Sequence, residues 1–228
     1  MFKEQKKEFY EEFKEKTKNK IEYEKIKKLY EEFLEFGGFP QVVLAKDIER
    51  KKEFLIDIFR SYFEKEVQVL ANFRELRAFR DLLLLLLKRI GNKLDITKLA
   101  SELSVSRETI YTYISFLEST YFIKLISPFT KSKDREISGT KKIYVCDNGI
   151  AKYIGDTDEG NLLENAVFNC LRGLGKINYY EKRSGGEIDF IINEKSMALE
   201  VKTKGDEMDY LRLKRISEEL GLKEHYII

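Results

Sequence analysis

Three charged residues near the C-terminal end have the types and spacing of a hydrolytic site. Asp189 stands in the apolar run 188–192, and Glu200 stands in the apolar run 197–201, two positions before Lys202. Residues two apart in a strand share a face, so Glu200 and Lys202 should point to the same side of a sheet. Carboxylates among apolar strand residues are costly unless a partner compensates, and Mg²⁺ or Mn²⁺, which prefer oxygen ligands, would do so.

A fourth residue, Glu164, lies among apolar neighbours on the preceding helix and can complete the set. A short polar turn between the strands allows Asp189 and Glu200 to meet. Glu164, Asp189 and Glu200 holding the cation, with Lys202 assisting, would suit phosphodiester hydrolysis, since the cation activates water and offsets developing charge. From spacing alone, a solvated sheet face on which Lys202 pairs with the carboxylates is an equal alternative.

These residues need a small mixed domain to position them. The apolar patterns predict a helix from about residue 161, followed by strands at 176–180, 187–192 and 197–202. A helix at 208–220 and a final strand at 225–228 follow. The expected order is αβββαβ.

A second unit is predicted upstream, between residues 94 and 146. A short helix at 96–103 is capped by Asp95 or Thr97, and Ser106 caps a longer helix with a buried stripe of Ile110, Tyr113, Ile114 and Leu117. A strand at 121–126, a polar loop at 131–140 and a strand at 142–146 follow. Helix, turn, helix, strand, loop and strand is the order of a winged helix.

The second helix of that unit is the candidate recognition helix. The residues expected to contact DNA are Arg107, Tyr111 and Thr112 on this helix and Lys131, Lys133 and Arg135 in the loop, or wing. Between residues 121 and 145, six basic residues against two acidic ones give a local charge of +4. Basic wing residues can bind phosphates without reading sequence. The alternative is a winged helix that only packs between domains.

The apolar pattern of the first ninety residues predicts helices. One helix ends at Gly37 and Gly38, another begins after Asp47, and a third runs from about 73 to 90. We therefore expect an α+β chain with three parts: a helical lead-in (1–72), a winged helix (73–155) and an α/β domain (156–228).

Composition narrows the class of protein. The chain has 228 residues, with 42 Lys and Arg against 40 Asp and Glu, a net charge of +2. Its 43% hydrophobic residues exclude a disordered chain, and its 2 Cys exclude a disulfide scaffold. The longest apolar run, 82–87, is too short to span a membrane, and no targeting segment is visible, so we expect a cytoplasmic protein without membrane contact. The Lys and Glu bias fits a thermophile, or else an ordinary helical surface.

The acidic set resembles a known superfamily. Glu164, GEID at 186–189 and EVK at 200–202 are similar to the motif of PD-(D/E)XK nucleases, whose αβββαβ core matches the expected order. A wider resemblance, from about residue 22 onward, is to the C-terminal part of archaeal and bacterial AAA+-like ATPases. It rests on GGFP at 37–40, LSVSRETI at 103–110, DNGIA at 147–151 and GNLLEN at 160–165.

One departure from that family limits what the resemblance implies. The sequence contains no G-x-x-x-x-G-K-[ST] phosphate loop, so we expect no nucleotide-binding residues and no ATP site of that kind. The resemblance implies a DNA-binding protein with a metal-dependent deoxyribonuclease-like domain. A separate ATPase core or a second copy of the chain would be its partner. The alternative is a non-catalytic module that binds nucleic acid or protein.

Overall fold

The computed structural model describes residues 20–64, 73–130, 132–182 and 185–228, and these have the expected α+β class. Helix α1 (Lys20–Phe36) ends at Gly37, whose φ of +74° is one that glycine adopts without steric cost. A short helix, α2 (Pro40–Leu44), follows. Asp47 caps α3 (Ile48–Tyr62) as predicted, because its carboxylate accepts the backbone N–H of Arg50 at 3.0 Å. Within these ranges, no helix is long and apolar enough to cross a membrane.

Helix α4 (Phe73–Leu87) contributes buried leucines to the core, and α5 (Ile96–Leu103) and α6 (Arg107–Ser119) follow it. The predicted caps are confirmed: Asp95 accepts from the Lys98 N–H at 2.9 Å, and Ser106 accepts from the Thr109 N–H at 3.0 Å. All four residues of the predicted stripe on α6 are buried.

An antiparallel pair follows, formed by β1 (Ile123–Pro128) and β2 (Lys142–Val145). Tyr121, expected at the start of the first strand, lies outside β1 with a φ of +60° and is 85% exposed. The polar loop predicted at 131–140 is also partly wrong, because residues Lys133–Ser138 form a short helix, α7. Ser132 accepts the Arg135 N–H and caps it, and acidic residues in the first turn favour the helix.

The C-terminal elements have the predicted αβββαβ order. After an unpredicted short helix, α8 (Asn148–Tyr153), they are α9 (Glu159–Leu171), β3 (Ile177–Glu181), β4 (Glu187–Ile192), β5 (Met197–Glu200), α10 (Glu207–Leu220) and β6 (Glu224–Ile227). Strand β5 ends two residues earlier than predicted, although the Lys202 N–H still donates to the carbonyl of Ile228 at 2.9 Å.

All of these strands belong to one mixed sheet with the order β2-β1-β3-β4-β5-β6. Strands β1 and β3 pair in parallel, so the β1–β2 pair that follows α6 continues into the C-terminal strands. Helix α9 packs on one face, where Phe168 contacts the rings of Tyr144 and Phe190. Helix α10 covers the other face through Leu213 and Ile216.

Strand β4 carries an irregularity that orients the site. Asn178 pairs with Ile191, and Tyr180 pairs with Ile188. Between these two pairs β3 has one residue and β4 has two, so β4 carries one extra residue. The strict alternation of side chains is therefore broken. Ile188 and Ile191 both pack against α10, while Phe190 packs against the α9 side. Asp189 lies within this interval.

Candidate active site

Glu164 projects from α9 towards the sheet. Asp158 caps the helix by accepting the Asn161 N–H at 3.0 Å, and neighbouring α9 residues are buried, which fixes the helix against the strands. The hydroxyl of Tyr144 donates to Glu164 Oε1 at 2.6 Å. A Cβ added at Gly91 would lie 2.8 Å from Glu164 Oε2, so the absence of a side chain there leaves room for the carboxylate.

Asp189 reaches the same region from the irregular part of β4. Its Oδ2 accepts the backbone N–H of Val201 at 2.9 Å, and its side chain is 14% exposed. This bond joins the end of β5 to β4 between Glu200 and Lys202. The expected approach of Asp189 to the end of β5 is thus present.

A lysine that sequence reasoning did not place in the site stands between these carboxylates. The ammonium of Lys142, at the start of β2, is 3.7 Å from Glu164 Oε1 and 3.7 Å from Asp189 Oδ1. It also forms an ion pair with Glu187. The sequence contained a pattern that could have indicated this: Lys142 and Tyr144 are two residues apart in one strand and therefore share a face of the sheet. Both contact Glu164.

Glu200 lies in a second ion-pair group. Its Oε1 is 3.1 Å from the ammonium of Lys202 and 2.8 Å from the guanidinium of Arg212. Glu200 and Lys202 are thus on the same side of the sheet, and they form the ion pair that the alternative of a solvated face also expected, although Glu200 itself is buried. Arg212 was not assigned to the site from the sequence. Glu200 is 4% exposed, and its Oε2 is buried with no hydrogen-bond partner among the described residues.

Burial raises the pKa of all three carboxyl groups. Burial raises the pKa of Glu164 to about 7, although the charge of Lys142 opposes the rise. Burial also raises the pKa of Asp189 and of Glu200, and the charge of Asp189 adds to the rise at Glu200. Burial alone would lower the pKa of Lys142, but the surrounding carboxylates outweigh it and raise the pKa. Each carboxyl would therefore be stabilised by an added positive charge.

The geometry does not form a ready-made metal cage. Among the residues in the described ranges, no group of three or more His, Cys, Asp or Glu side chains is arranged to hold a metal ion. Glu164 and Asp189 meet through Lys142, whereas Glu200 forms its ion pairs with Lys202 and Arg212. Asp189 links the two ion-pair groups: its Oδ1 lies near Lys142, and its Oδ2 accepts the Val201 N–H beside Glu200 and Lys202.

The residues expected to contact DNA lie elsewhere on the surface. Arg107, Tyr111 and Thr112 are exposed on α6. Lys133 and Arg135 are exposed on α7 rather than in an extended loop. Lys131 lies outside the described residues.

A sequence comparison assigns the chain to a family whose function is unknown. Residues 27–160 match the family described as "Domain of unknown function (DUF8612)", and the chain belongs to this family. The matched range contains Lys142 and ends before Glu164.

Two curated relatives are uncharacterized proteins. One, from Methanocaldococcus jannaschii, is 32% identical over 182 residues, which are 75% of this chain and 41% of the relative. The other, from Haemophilus influenzae, is 30% identical over 180 residues, or 73% of this chain and 43% of the relative. The chain thus spans about two fifths of the length of these relatives. No solved structure matches it.

Proposed function

We propose that the chain is a DNA-binding protein whose C-terminal domain hydrolyses phosphodiester bonds with the help of Mg²⁺ or Mn²⁺. One observation carries this proposal: the partly buried carboxylate of Asp189 and the buried carboxylate of Glu200 stand beside Lys202 at the ends of adjacent strands. Within the described part of the chain, one oxygen of Glu200 has no hydrogen-bond partner. A buried, unpartnered carboxylate oxygen is costly unless something fills the gap. The resemblance of EVK at 200–202 to the PD-(D/E)XK motif supports the same interpretation.

The residues present fit a hard divalent cation. Mg²⁺ is commonly held by one or two carboxylates together with water, so a cage of three acidic side chains is not required. Asp189 and Glu200 would be the principal ligands, and Glu164 would hold a water or complete the shell. A cation bound there would activate water and offset negative charge at phosphorus.

The protein side chains have separate roles in this proposal. Lys202 is 34% exposed, so its ammonium can reach a phosphate oxygen while it remains near Glu200. The Val201 N–H fixes Oδ2 of Asp189, and Oδ1, which now lies 3.7 Å from the Lys142 ammonium, would be the oxygen that binds the cation. Arg212 holds Glu200 from the α10 side.

The helix-turn-helix unit with its β1–β2 pair is proposed to be a winged helix. The isolated bridge between Lys93 and Lys142 adds a third short segment to that pair, which favours this topology. Helix α6 would face DNA through Arg107, Tyr111 and Thr112. Lys133 and Arg135 would contact phosphates from the α7 turn.

The resemblance to the C-terminal part of AAA+-like ATPases suggests which protein would act together with this chain. We infer that the chain corresponds to the C-terminal part of an AAA+-like ATPase without the nucleotide-binding core. The relatives are more than twice as long as the matched segment, which is consistent with such an arrangement. A separate ATPase core or a second copy of this chain is then the expected protein partner.

A non-catalytic binding module is the second candidate, and Lys142 favours it. Its ammonium already compensates the charge of Glu164, Glu187 and Asp189 without any metal. In that case the acidic set would be structural, and only the DNA-binding or protein-binding surface would function.

Cleavage of supercoiled plasmid distinguishes the two functions. The wild-type chain should nick plasmid in Mg²⁺ or Mn²⁺ and not in EDTA. Asp189→Asn, Glu200→Gln and Lys202→Met should each reduce the rate at least about a hundredfold, since each removes a ligand or a stabilising charge. Glu194→Gln, in the turn before β5, is the matched control and should cleave normally. An inactive wild-type chain that still binds DNA would favour the binding module.

Salt dependence tests the DNA surface independently of cleavage. If Lys133 and Arg135 each neutralise a phosphate, replacing both by Ala should reduce the slope of log affinity against log salt by about 1.8. Lys195→Ala, in the turn after β4, should leave the slope unchanged. An unchanged slope in the double variant would remove α7 from the DNA interface.

A further inference from the structure

Lys142 occupies the place in the carboxylate cluster where a cation is needed. Its side chain is 6% exposed, and its ammonium lies within 4 Å of oxygens from Glu164, Glu187 and Asp189. It also lies 5.6 Å from the centre of the Tyr179 ring. A lysine is rarely buried unless its charge is compensated, and here three carboxylates on two elements do so.

This ammonium and a divalent cation would use the same oxygens. Glu164 and Asp189 are the residues common to the Lys142 cluster and to the proposed metal shell. Two cations separated by only a few ångströms in a poorly solvated site repel each other strongly. Simultaneous occupancy is therefore unfavourable as long as Lys142 keeps its present position.

We propose that Lys142 is a built-in counter-ion that competes with the divalent cation and moves out of the cluster when the cation binds. This inference rests on the proposed function, because it assumes a divalent site at Asp189 and Glu200. It assigns Lys142 as a positioning residue: it orders Glu164 and Asp189 in the metal-free protein and lowers the affinity of the site for metal. Tyr144, which keeps Glu164 in place from the same strand, would remain.

The wild-type chain allows a direct test by amine labelling. Lysines are acetylated with a water-soluble acylating reagent during a Mn²⁺ titration, and the rate at each lysine is read by mass spectrometry. Lys142 should be protected without metal, and its rate should rise at least about tenfold as Mn²⁺ saturates the chain. Lys93, which pairs with Lys142 across the bridge but is exposed, should be labelled equally throughout. Protection of Lys142 that persists in metal-saturated protein would overturn the inference.

Calorimetric titration of Mn²⁺ into variants gives a second test. Lys142→Met keeps most of the side-chain length and removes the charge, so it should bind Mn²⁺ at least about tenfold more tightly than wild type. Lys142→Arg, which keeps the charge, should show no such gain, and Lys93→Met should bind as wild type does. Equal or weaker binding by Lys142→Met would overturn the inference and leave the metal site itself intact.

The remaining outcomes separate this inference from the function on which it rests. If neither the wild-type chain nor Lys142→Met binds Mn²⁺, the proposed metal site and the competition are both wrong. If only Lys142→Met binds, the competition is supported in its strongest form, and divalent-dependent hydrolysis by the wild-type chain is contradicted. The labelling test needs no variant, so a folding defect of Lys142→Met would not leave the inference untested.

Discussion

Removal of the Tyr144 hydroxyl should destabilise the protein by an amount that depends on pH. Tyr144 is fully buried, its ring stacks on Phe168, and its hydroxyl donates to Glu164 at 2.6 Å. Tyr144→Phe keeps the ring and removes only the hydrogen bond. The acceptor, Glu164, has a pKa near neutral, so the strength of the lost hydrogen bond should change between pH 5.5 and pH 8.5.

The magnitude follows from the protonation of Glu164. Burial raises its pKa from an ordinary value of 4.5 to about 7, so the folded state retains a proton that the unfolded chain releases. The stabilisation from this proton is complete below pH 4.5 and is lost as the pH rises through 7. At pH 5.5 the variant loses a bond to a neutral carboxyl, about 1 kcal/mol. At pH 8.5 it loses a bond to a carboxylate, about 2 kcal/mol.

Urea unfolding at the two pH values, in EDTA, measures these costs. The cost at pH 8.5 minus the cost at pH 5.5 reports how much the pKa of Glu164 rises in the Tyr144→Phe variant. It should rise because the lost hydroxyl stabilises the ionised form. Tyr153→Phe is the matched control: its hydroxyl donates at 2.7 Å to Glu35, which is exposed, so its cost should be the same at both pH values. An equal cost for Tyr144→Phe at pH 5.5 and 8.5 would refute the electrostatic account of Glu164.

Two further predictions concern the elements that support the site. Gly37→Ala should lower the free energy of unfolding by about 1–3 kcal/mol, because it strains a positive φ and drives a Cβ into the Asp147 carboxylate. Gly173→Ala is the control, since a Cβ there would meet no atom of the described residues within 4 Å, and thermal unfolding should show little change in its stability. Ser106→Ala should cost about 1 kcal/mol in urea unfolding by removing the cap of α6, whereas the exposed Ser115→Ala should change stability by less than about 0.5 kcal/mol. If Gly173→Ala lost as much stability as Gly37→Ala, the clash would not be the cause. If Ser115→Ala lost as much as Ser106→Ala, the cap would not be the cause.

Local signals in the sequence predicted most of the elements. Asp47, Asp95 and Ser106 each precede an amphipathic run and each caps the helix that follows. Such interactions span three residues and are therefore visible without tertiary contacts. The short helix α7 was missed for a different reason: Ile137 is its one apolar residue, so periodicity gave no sign of the helix, and only Ser132 marked its start.

The site was predictable only in part. The contact of Glu200 with Lys202 follows from their spacing of two residues at the end of β5, and the order of strands brings Asp189 near both. The role of Lys142 depends on the parallel pairing of β1 with β3, which brings β2 into the same sheet as β4, and no local pattern reveals that pairing. The irregularity around Asp189 likewise depends on the register between two strands. Arg212 approaches Glu200 only because α10 packs back on the sheet.

Single-turnover cleavage of a labelled DNA duplex is the most direct test of the proposed phosphodiester hydrolysis. The wild-type chain and Asp189→Asn are compared at equal concentration in Mn²⁺, with EDTA as the blank. We expect divalent-dependent strand cleavage by the wild-type chain and at least about a hundredfold slower cleavage by Asp189→Asn. Absence of cleavage by folded, DNA-bound wild-type chain, or equal cleavage by Asp189→Asn, would contradict it.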